Sequence, residues 1–503
     1  MREVFSSMQV VNRAEQHQDR TAIIASEGTF SYRQLLAASA KIASSLLDGK
    51  KALCEKRVAF LIPPGFQYVA TQWGIWRAGG IAVPLCVSHS QPELEYVIAD
   101  SEAESIIAHP DSVKLLRPLV AARNAQFWVT TEIMHAAEMI LPPIDASRRA
   151  MIIYTSGTTS KPKGVVSTHK NIEAQIKTLV DAWEWTASDH ILHVLPLHHI
   201  HGIINALACA LWAGATCEIL PKFDAAKVWS RFLSGDVTLF MAVPTIYVKL
   251  IEAWERASPQ QQKAMPAAGS KMRLMISGSA ALPVRVLEKW EEITQHVLLV
   301  RYGMTEIGMT LSNPLHGERV PGSVGTPLPN IEVRLVDDNR NEVEAGTPGE
   351  ILIKGSSVFL EYWRKPEATQ QAFHHGWFRT GDVAVVQNNS YRILGRRNID
   401  IIKTSGYKVS ALEVEEVLRA HPAIKECAVV GIADRDWGER VCAAIITGSK
   451  TTLTLDSLRS WAKERLANYK IPAQICIVTD LPRNAMGKIV KPEVKSFFIG
   501  SNR

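Results

Sequence analysis

The run VAFLIPPG (58–65) is apolar and strand-like, FQYVATQWGIWRAGG (66–80) has helical texture and closes on glycine, and IAVPL (81–85) is strand-like again. Two strands joined through a helix must run parallel, so this segment predicts a βαβ unit and a parallel sheet. Just ahead, Ser31 and Gln34 have the spacing of a capping box. Leu35, Leu36, Ile42, Leu46 and Leu47 then recur at helical spacing, which predicts a helix starting there. Strand and helix alternate to about residue 315. Beyond it, IEVRLVD (331–337) and GEILIKG (349–355), separated by Gly and Pro, predict a barrel-like or small-sheet subdomain. Near 395 a basic segment leads into ALEVEEVLRAHP (411–422), strand-like CAVVGI (427–432) and a further βα pattern, so the main domain boundary is expected there. A chain of 503 residues exceeds what one core supports, and at least two domains are expected on size alone.

A formal charge of +6 over this length, without a run of Lys and Arg, disfavours nucleic acid and fits small anionic ligands. The seven cysteines contain no C-x-x-C pair, which argues against a zinc site or disulfide framework and for a reducing compartment. The apolar stretch around Ile203–Ala213 is broken by Asn205 and is shorter than the ~20 residues a membrane span needs. The N-terminal segment has no apolar h-region and its Glu and Asp argue against a transit peptide, so a cytoplasmic location is expected, with a trimmed organellar form as the alternative. The sequence leaves oligomeric state open, with a monomer among the expected forms.

YTSGTTSKPKG (154–164) follows the apolar MII (151–153). Thr155, Ser156, Thr158 and Thr159 supply hydroxyl donors, Gly157 allows close backbone approach, and Lys161 and Lys163 bring positive charge suited to a polyphosphate. The G-x-x-x-x-G-K-[ST] spacing is absent, so this is not the loop of ordinary kinases and GTPases. Read alone, the competing reading is a flexible polar loop, and the phosphate loop is the favoured one.

The stretch resembles the phosphate loop of the adenylate-forming superfamily of acyl-CoA synthetases, luciferases and peptide-synthetase adenylation domains. The resemblance continues in family order through LPLHHIHG (195–202), SGSAALP (277–283), RYGMTE (301–306), GWFRTGD (376–382), GRRNIDIIKTSGYKVSALEVEEVL (395–418) and PRNAMGK (482–488). It implies an α/β fold: an N-terminal AMP-binding domain (1–395) of two α/β subdomains plus a small β-barrel subdomain, and a smaller mobile α+β C-terminal domain (396–503). It implies ATP, Mg²⁺ and coenzyme A as co-substrates and cofactor. It further implies nucleotide contacts from the 155–163 loop, Ser279, Ala280, Tyr302, Gly303, Met304, Asp382 and Arg396. Thr305 is expected at the α-phosphate, Glu306 with Thr155 at Mg²⁺, His199 in the catalytic set, and Lys488 at the reacting carboxylate during adenylation. Ser405, Gly406, Tyr407 and Lys408 are expected to face CoA after the C-terminal domain swings.

Arg301 stands where most members of the superfamily carry a small or neutral residue. A guanidinium beside an acyl pocket favours a second carboxylate on the substrate. The stretches 301–330 and VPTIYVKL (243–250) resemble the malonyl-CoA synthetases, which implies that Lys249 joins Arg301 at the distal carboxylate, with Ser277 and His201 as further pocket residues. Malonate is the expected acid and methylmalonate a tolerated analogue. The competing reading pairs Arg301 with a protein carboxylate and leaves Lys249 on a solvated helix face. Two residues depart from the family pattern: Ser160 and Ser405 replace glycines, which normally supply positive φ or close approach. An enzyme that loads a separate carrier protein, and a catalytically silent binding protein, are the remaining alternatives.

Overall fold

The computed structural model describes residues 8–121, 123, 125–155, 161–448, 453–484 and 487–499. The predicted βαβ unit forms as strand Arg57–Leu61, helix Phe66–Arg77 and strand Ile81–Pro84, with Arg57 opposite Ile81 in a parallel pair. Helix Tyr32–Leu47 starts at the expected capping box, where Ser31 Oγ accepts from Gln34 N and Gln34 returns a bond to Ser31 N. This satisfies two backbone donors that would otherwise lack partners. The helix packs its Leu35, Ile42, Leu46 and Leu47 face into the largest apolar cluster.

Among the described residues the strands form four sheets. A seven-stranded sheet contains the βαβ unit and the antiparallel pair Arg149–Tyr154/Gly164–Thr168, the two strands that flank the 155–163 segment in sequence. A nine-stranded sheet is mostly parallel and carries strands Leu239–Ala242, Leu274–Ser277 and Leu299–Met304 side by side. The β-rich run after 330 forms an antiparallel five-stranded sheet in which Ile331–Val336 pairs with Gly349–Gly355. Its last strand, Ser390–Arg396, brings Arg396 opposite Asp382. A separate five-stranded sheet begins at Ile401–Thr404 and has its own core, formed by helix Ala411–Arg419 against strands Ile424–Asp434 and Gly438–Thr447.

The segment His201–Ala208 is a π-helix continued by α-helix Cys209–Ala213. The wider turn accommodates a tight entry: a Cβ on Gly202 would lie 2.3 Å from the carbonyl oxygen of Pro196, so only glycine lets the 195–199 segment fold back on the helix.

Candidate active site

Arg301 projects from strand Leu299–Met304 and is 3% exposed, yet Nε, Nη1 and Nη2 have no hydrogen-bond partner among the described residues. Burial pushes its guanidinium down to about 9. The space it occupies exists because its neighbour across the strands is glycine: a Cβ on Gly278 would sit 2.4 Å from Arg301 Cζ. A buried, unpaired cation is unfavourable unless an anion completes it. The alternative of an internal carboxylate partner is not realised among the described residues.

Histidines close one side. His201, at the head of the π-helix, is 2% exposed, with Nδ1 3.1 Å from Ser279 Oγ and Nε2 unpartnered. Burial first, then the charge of Arg301, hold it well below its ordinary value, so it is neutral at pH 7. His199 accepts from His201 N through Nδ1 (3.3 Å). It too is held low by burial, with the positive charges of Lys488, His198 and Arg301 adding to the effect.

Lys488 is half-buried in the loop after Asn484, where Lys488 N donates to Asn484 Oδ1 (3.0 Å) and Asn484 N donates to Lys488 O (2.9 Å). Burial, with Arg396 and Arg301 nearby, lowers its ammonium to about 8, while Asp382 opposes the fall. The C-terminal domain therefore holds Lys488 in the cleft among Arg301, Asp382 and Arg396.

Tyr302, the next residue along the strand, donates from its hydroxyl to Asp382 Oδ2 (2.6 Å), and Arg396 Nε lies 3.4 Å from Asp382 Oδ1. Burial raises Asp382; Arg396 and Tyr302 oppose the rise. Thr305 and Glu306 are both buried. Glu306 Oε1 accepts from Tyr362 OH (2.9 Å), and the Lys163 ammonium sits 4.8 Å from the centroid of that same ring. Burial raises the Glu306 carboxyl despite the Tyr362 bond and the Arg396 charge, so this carboxylate lacks a sufficient counter-charge. One buried carboxylate fits Mg²⁺, a hard ion commonly held by one or two carboxylates plus substrate phosphates. Thr155 N donates to Lys163 O (3.1 Å), which closes the base of the phosphate loop. Lys161 stands 5.7 Å from the centroid of Tyr96. Ser156, Gly157, Thr158 and Thr159, and the departure at Ser160, lie outside the described residues. Gly303 and Met304 continue the Tyr302 strand, and a Cβ on Gly303 would lie 2.1 Å from Gly308 O; Ala280 is exposed beside Ser279.

Two expected pocket residues are not brought to Arg301 by these contacts. Ser277 pairs with Val300, so the pleat directs its side chain to the sheet face opposite Arg301. Lys249 is exposed on helix Pro244–Glu255, with its ammonium 5.9 Å from the Phe223 ring centroid, and makes no ion pair among the described residues. The expected CoA residues lie on the turn between strands Ile401–Thr404 and Tyr407–Ser410. Ser405 takes φ +48° in place of glycine, Gly406 has φ +82°, Tyr407 stacks on Tyr469 at 4.1 Å, and Lys408 binds Asp338 at 2.7 Å. None of the four hydrogen-bonds or ion-pairs with the Arg301–Lys488 cluster among the described residues. Sequence reasoning missed Tyr362, whose local signal, EYW (361–363), says nothing of the Glu306 it touches.

Residues 10–363 match the AMP-binding enzyme family, and residues 413–488 match the AMP-binding enzyme C-terminal domain. A mitochondrial malonate–CoA ligase of Mus musculus is 45% identical over 97% of this chain and 90% of its own length. A malonate–CoA ligase of Arabidopsis thaliana is 40% identical over 98% and 88%. The crystal structure of ATP-bound MatB from Rhodopseudomonas palustris superposes with a TM-score of 0.91 at 32% identity, covering 98% of this chain and 99% of that one. With both of its domains matched and the cleft between them lined as described, the chain belongs to the AMP-binding enzyme family.

Proposed function

We propose that this protein ligates malonate to coenzyme A at the expense of ATP, through a malonyl-adenylate, releasing pyrophosphate and AMP. The observation that carries the choice of acid is the buried guanidinium of Arg301, all three of whose nitrogens await an anion. The distal carboxylate of malonate pairs there and leaves the proximal one free to attack the α-phosphorus. The near-full-length similarity to malonate–CoA ligases supports the same reading.

In the first half-reaction the Lys488 ammonium stabilises charge on the reacting carboxylate and α-phosphate, and Thr305 donates to the latter. Lys161 and Lys163 attract the β- and γ-phosphates, and Asp382 binds the ribose. Glu306, with Thr155, would hold Mg²⁺, which neutralises phosphate charge when bound. Neutral His199 and His201 seal the cleft without adding a cation that would compete with Arg301. In the second half-reaction the CoA thiol displaces AMP. For this step we infer that the C-terminal domain, taken to begin at Arg396, turns to withdraw Lys488 and bring Ser405–Lys408 to the cleft. The sheet boundary between Ser390–Arg396 and Ile401–Thr404 supports that hinge. The seven free cysteines support a reducing compartment such as the cytoplasm.

The test is pyrophosphate and AMP formation with CoA and malonate, methylmalonate, acetate, succinate or a medium-chain acid. Malonate should lead, followed by methylmalonate. Equal turnover of the monocarboxylates would remove malonate as the substrate, and no turnover of any acid would remove the synthetase reading.

A further inference from the structure

One contact between the two domains lies away from the cleft and has no part in the machinery assigned above. Helix Val284–Thr294 starts directly after the SGSAALP stretch (277–283), which holds Ser279 against His201. The first backbone N–H groups of a helix have no partner within it. Here the Val284 N–H donates to Glu416 Oε1 of the C-terminal domain (2.9 Å). The next side chain, exposed Arg285, reaches the other way: Nη1 donates to Arg419 O (3.1 Å) and Nη2 to Lys425 O (2.8 Å). Arg419 ends helix Ala411–Arg419, whose last carbonyls likewise lack partners within the helix, and the strand pairing skips Lys425 between Ile424 and Glu426. Each helix thus receives at its free end a charge of the sign its dipole favours, a carboxylate at the N-terminus of one and a guanidinium at the C-terminus of the other.

The contact is joined to Lys488 through buried charge. Glu415, beside Glu416 on the same helix, is buried and accepts from the Val429 N–H through Oε1 (2.8 Å). The same oxygen lies 2.8 Å from the Lys491 ammonium, which also reaches Asp400 Oδ1 at 2.6 Å. Lys491 opens helix Lys491–Ile499 shortly after Lys488, and Val490 N donates to Pro482 O (2.8 Å), closing the loop that carries Lys488. Where Glu416 docks therefore fixes where Lys488 stands.

We propose that Glu416 and Arg285 form a two-way latch between helix ends that holds the C-terminal domain with Lys488 in the cleft, which makes both of them positioning residues for adenylation. The proposal rests on the turn of the C-terminal domain inferred above: the turn must break all three bonds, so the latch favours the first half-reaction over the second. Pyrophosphate–ATP exchange depends on the fraction of enzyme with Lys488 in, and thioester formation on the fraction with it out. The ratio of the two rates follows the equilibrium between the arrangements, whatever its starting value.

Arg285→Ala and Glu416→Ala are each compared with the wild type in pyrophosphate–ATP exchange with malonate and in single-turnover thioester formation from preformed malonyl-adenylate. In Glu416→Ala the neighbouring Arg419 keeps Glu415 as its partner (3.1 Å), so no charge is stranded. Each variant should lower the ratio of exchange to thioester rate by about tenfold, the effect of losing a charge-assisted hydrogen bond. Arg285→Lys, which retains a donor, should recover part of it. A variant that merely loosened the fold would slow both half-reactions and leave the ratio where it was; that result, or unchanged rates in both, would overturn the proposal. Amide hydrogen exchange needs no substrate: the Val284 amide should exchange about tenfold faster in Glu416→Ala, and equal rates would remove the contact whichever acid the enzyme activates. Loss of both half-reactions alike in Lys488→Ala would remove the domain turn, and the latch's role with it.

Discussion

Replacing Arg301 by alanine removes the one feature that distinguishes a diacid site from a monoacid site. In the unliganded protein the guanidinium is buried without a partner, and its proton affinity has dropped by more than three powers of ten, to about 9. At ~1.4 kcal/mol per tenfold this is roughly 5 kcal/mol of uncompensated desolvation. A substrate carboxylate that pairs with it offsets most of that cost, and removing one member of such a buried pair costs about 3–5 kcal/mol. That converts to a fall in kcat/KM for malonate of roughly two to three and a half powers of ten. The KM for ATP and any turnover of propionate should move by less than about threefold, because neither uses the guanidinium. The unliganded variant should also melt higher than the wild type, since the unpaired charge is gone. The readouts are continuous pyrophosphate release with malonate or propionate varied, and thermal melting with and without malonate. A malonate kcat/KM within about threefold of wild type would refute the reasoning, whatever happened to stability.

The pH dependence of that stabilisation has a definite sign. A base whose folded pKa is depressed destabilises the folded state in full below that pKa, and the penalty shrinks as pH rises from the folded towards the unfolded value. The increase in melting temperature produced by malonate should therefore be largest below pH 9 and shrink as pH rises through it. Lys488 acts as a cation and is held at about 8, so kcat/KM for pyrophosphate–ATP exchange should fall on the alkaline side near pH 8. Lys488→Ala should abolish that exchange while thioester formation from preformed malonyl-adenylate persists. Tyr362→Phe keeps the ring under Lys163 but removes the hydroxyl bonded to Glu306. It should weaken Mn²⁺–nucleotide binding, measured by calorimetry, by roughly tenfold, the ~1.5 kcal/mol end of what a hydrogen bond to a charged group contributes. Asp338 ties Lys408 and Arg397 to the N-terminal domain in the Lys488-in arrangement. Such exposed pairs contribute ~0–1 kcal/mol, so Asp338→Ala should speed the thioester half-reaction by at most about fivefold in single-turnover mixing, and a slowing would contradict that role.

What was legible in the sequence was local. The capping box at Ser31, the βαβ unit and the strand leading into the phosphate loop follow from short-range patterns, and each forms within a few residues of its expected span. The peculiarity of Arg301 was visible because a single side chain departs from its company. Its lack of an internal partner was not, because that depends on everything packed around it. Register was equally hidden: whether Ser277 shares a face with Arg301 is decided by its pairing with Val300, and one residue of slip would reverse it. Long-range contacts left no sequence signal, among them Tyr362 at Glu306 and the buried Lys491 bridging Asp400 and Glu415. The π-helix at His201 also escaped periodicity, because i→i+5 bonding leaves no signature in the repeat of apolar residues.

Malonate and its monomethyl ester have nearly the same shape at the reacting end and differ in the charge at the other. Comparing their kcat/KM values on the wild-type enzyme therefore reads the Arg301 pocket directly. We predict a preference for the dianion of about a hundredfold or more, in line with loss of a buried pair. Equal values for acid and ester would mean that nothing in the cleft grips the far carboxylate.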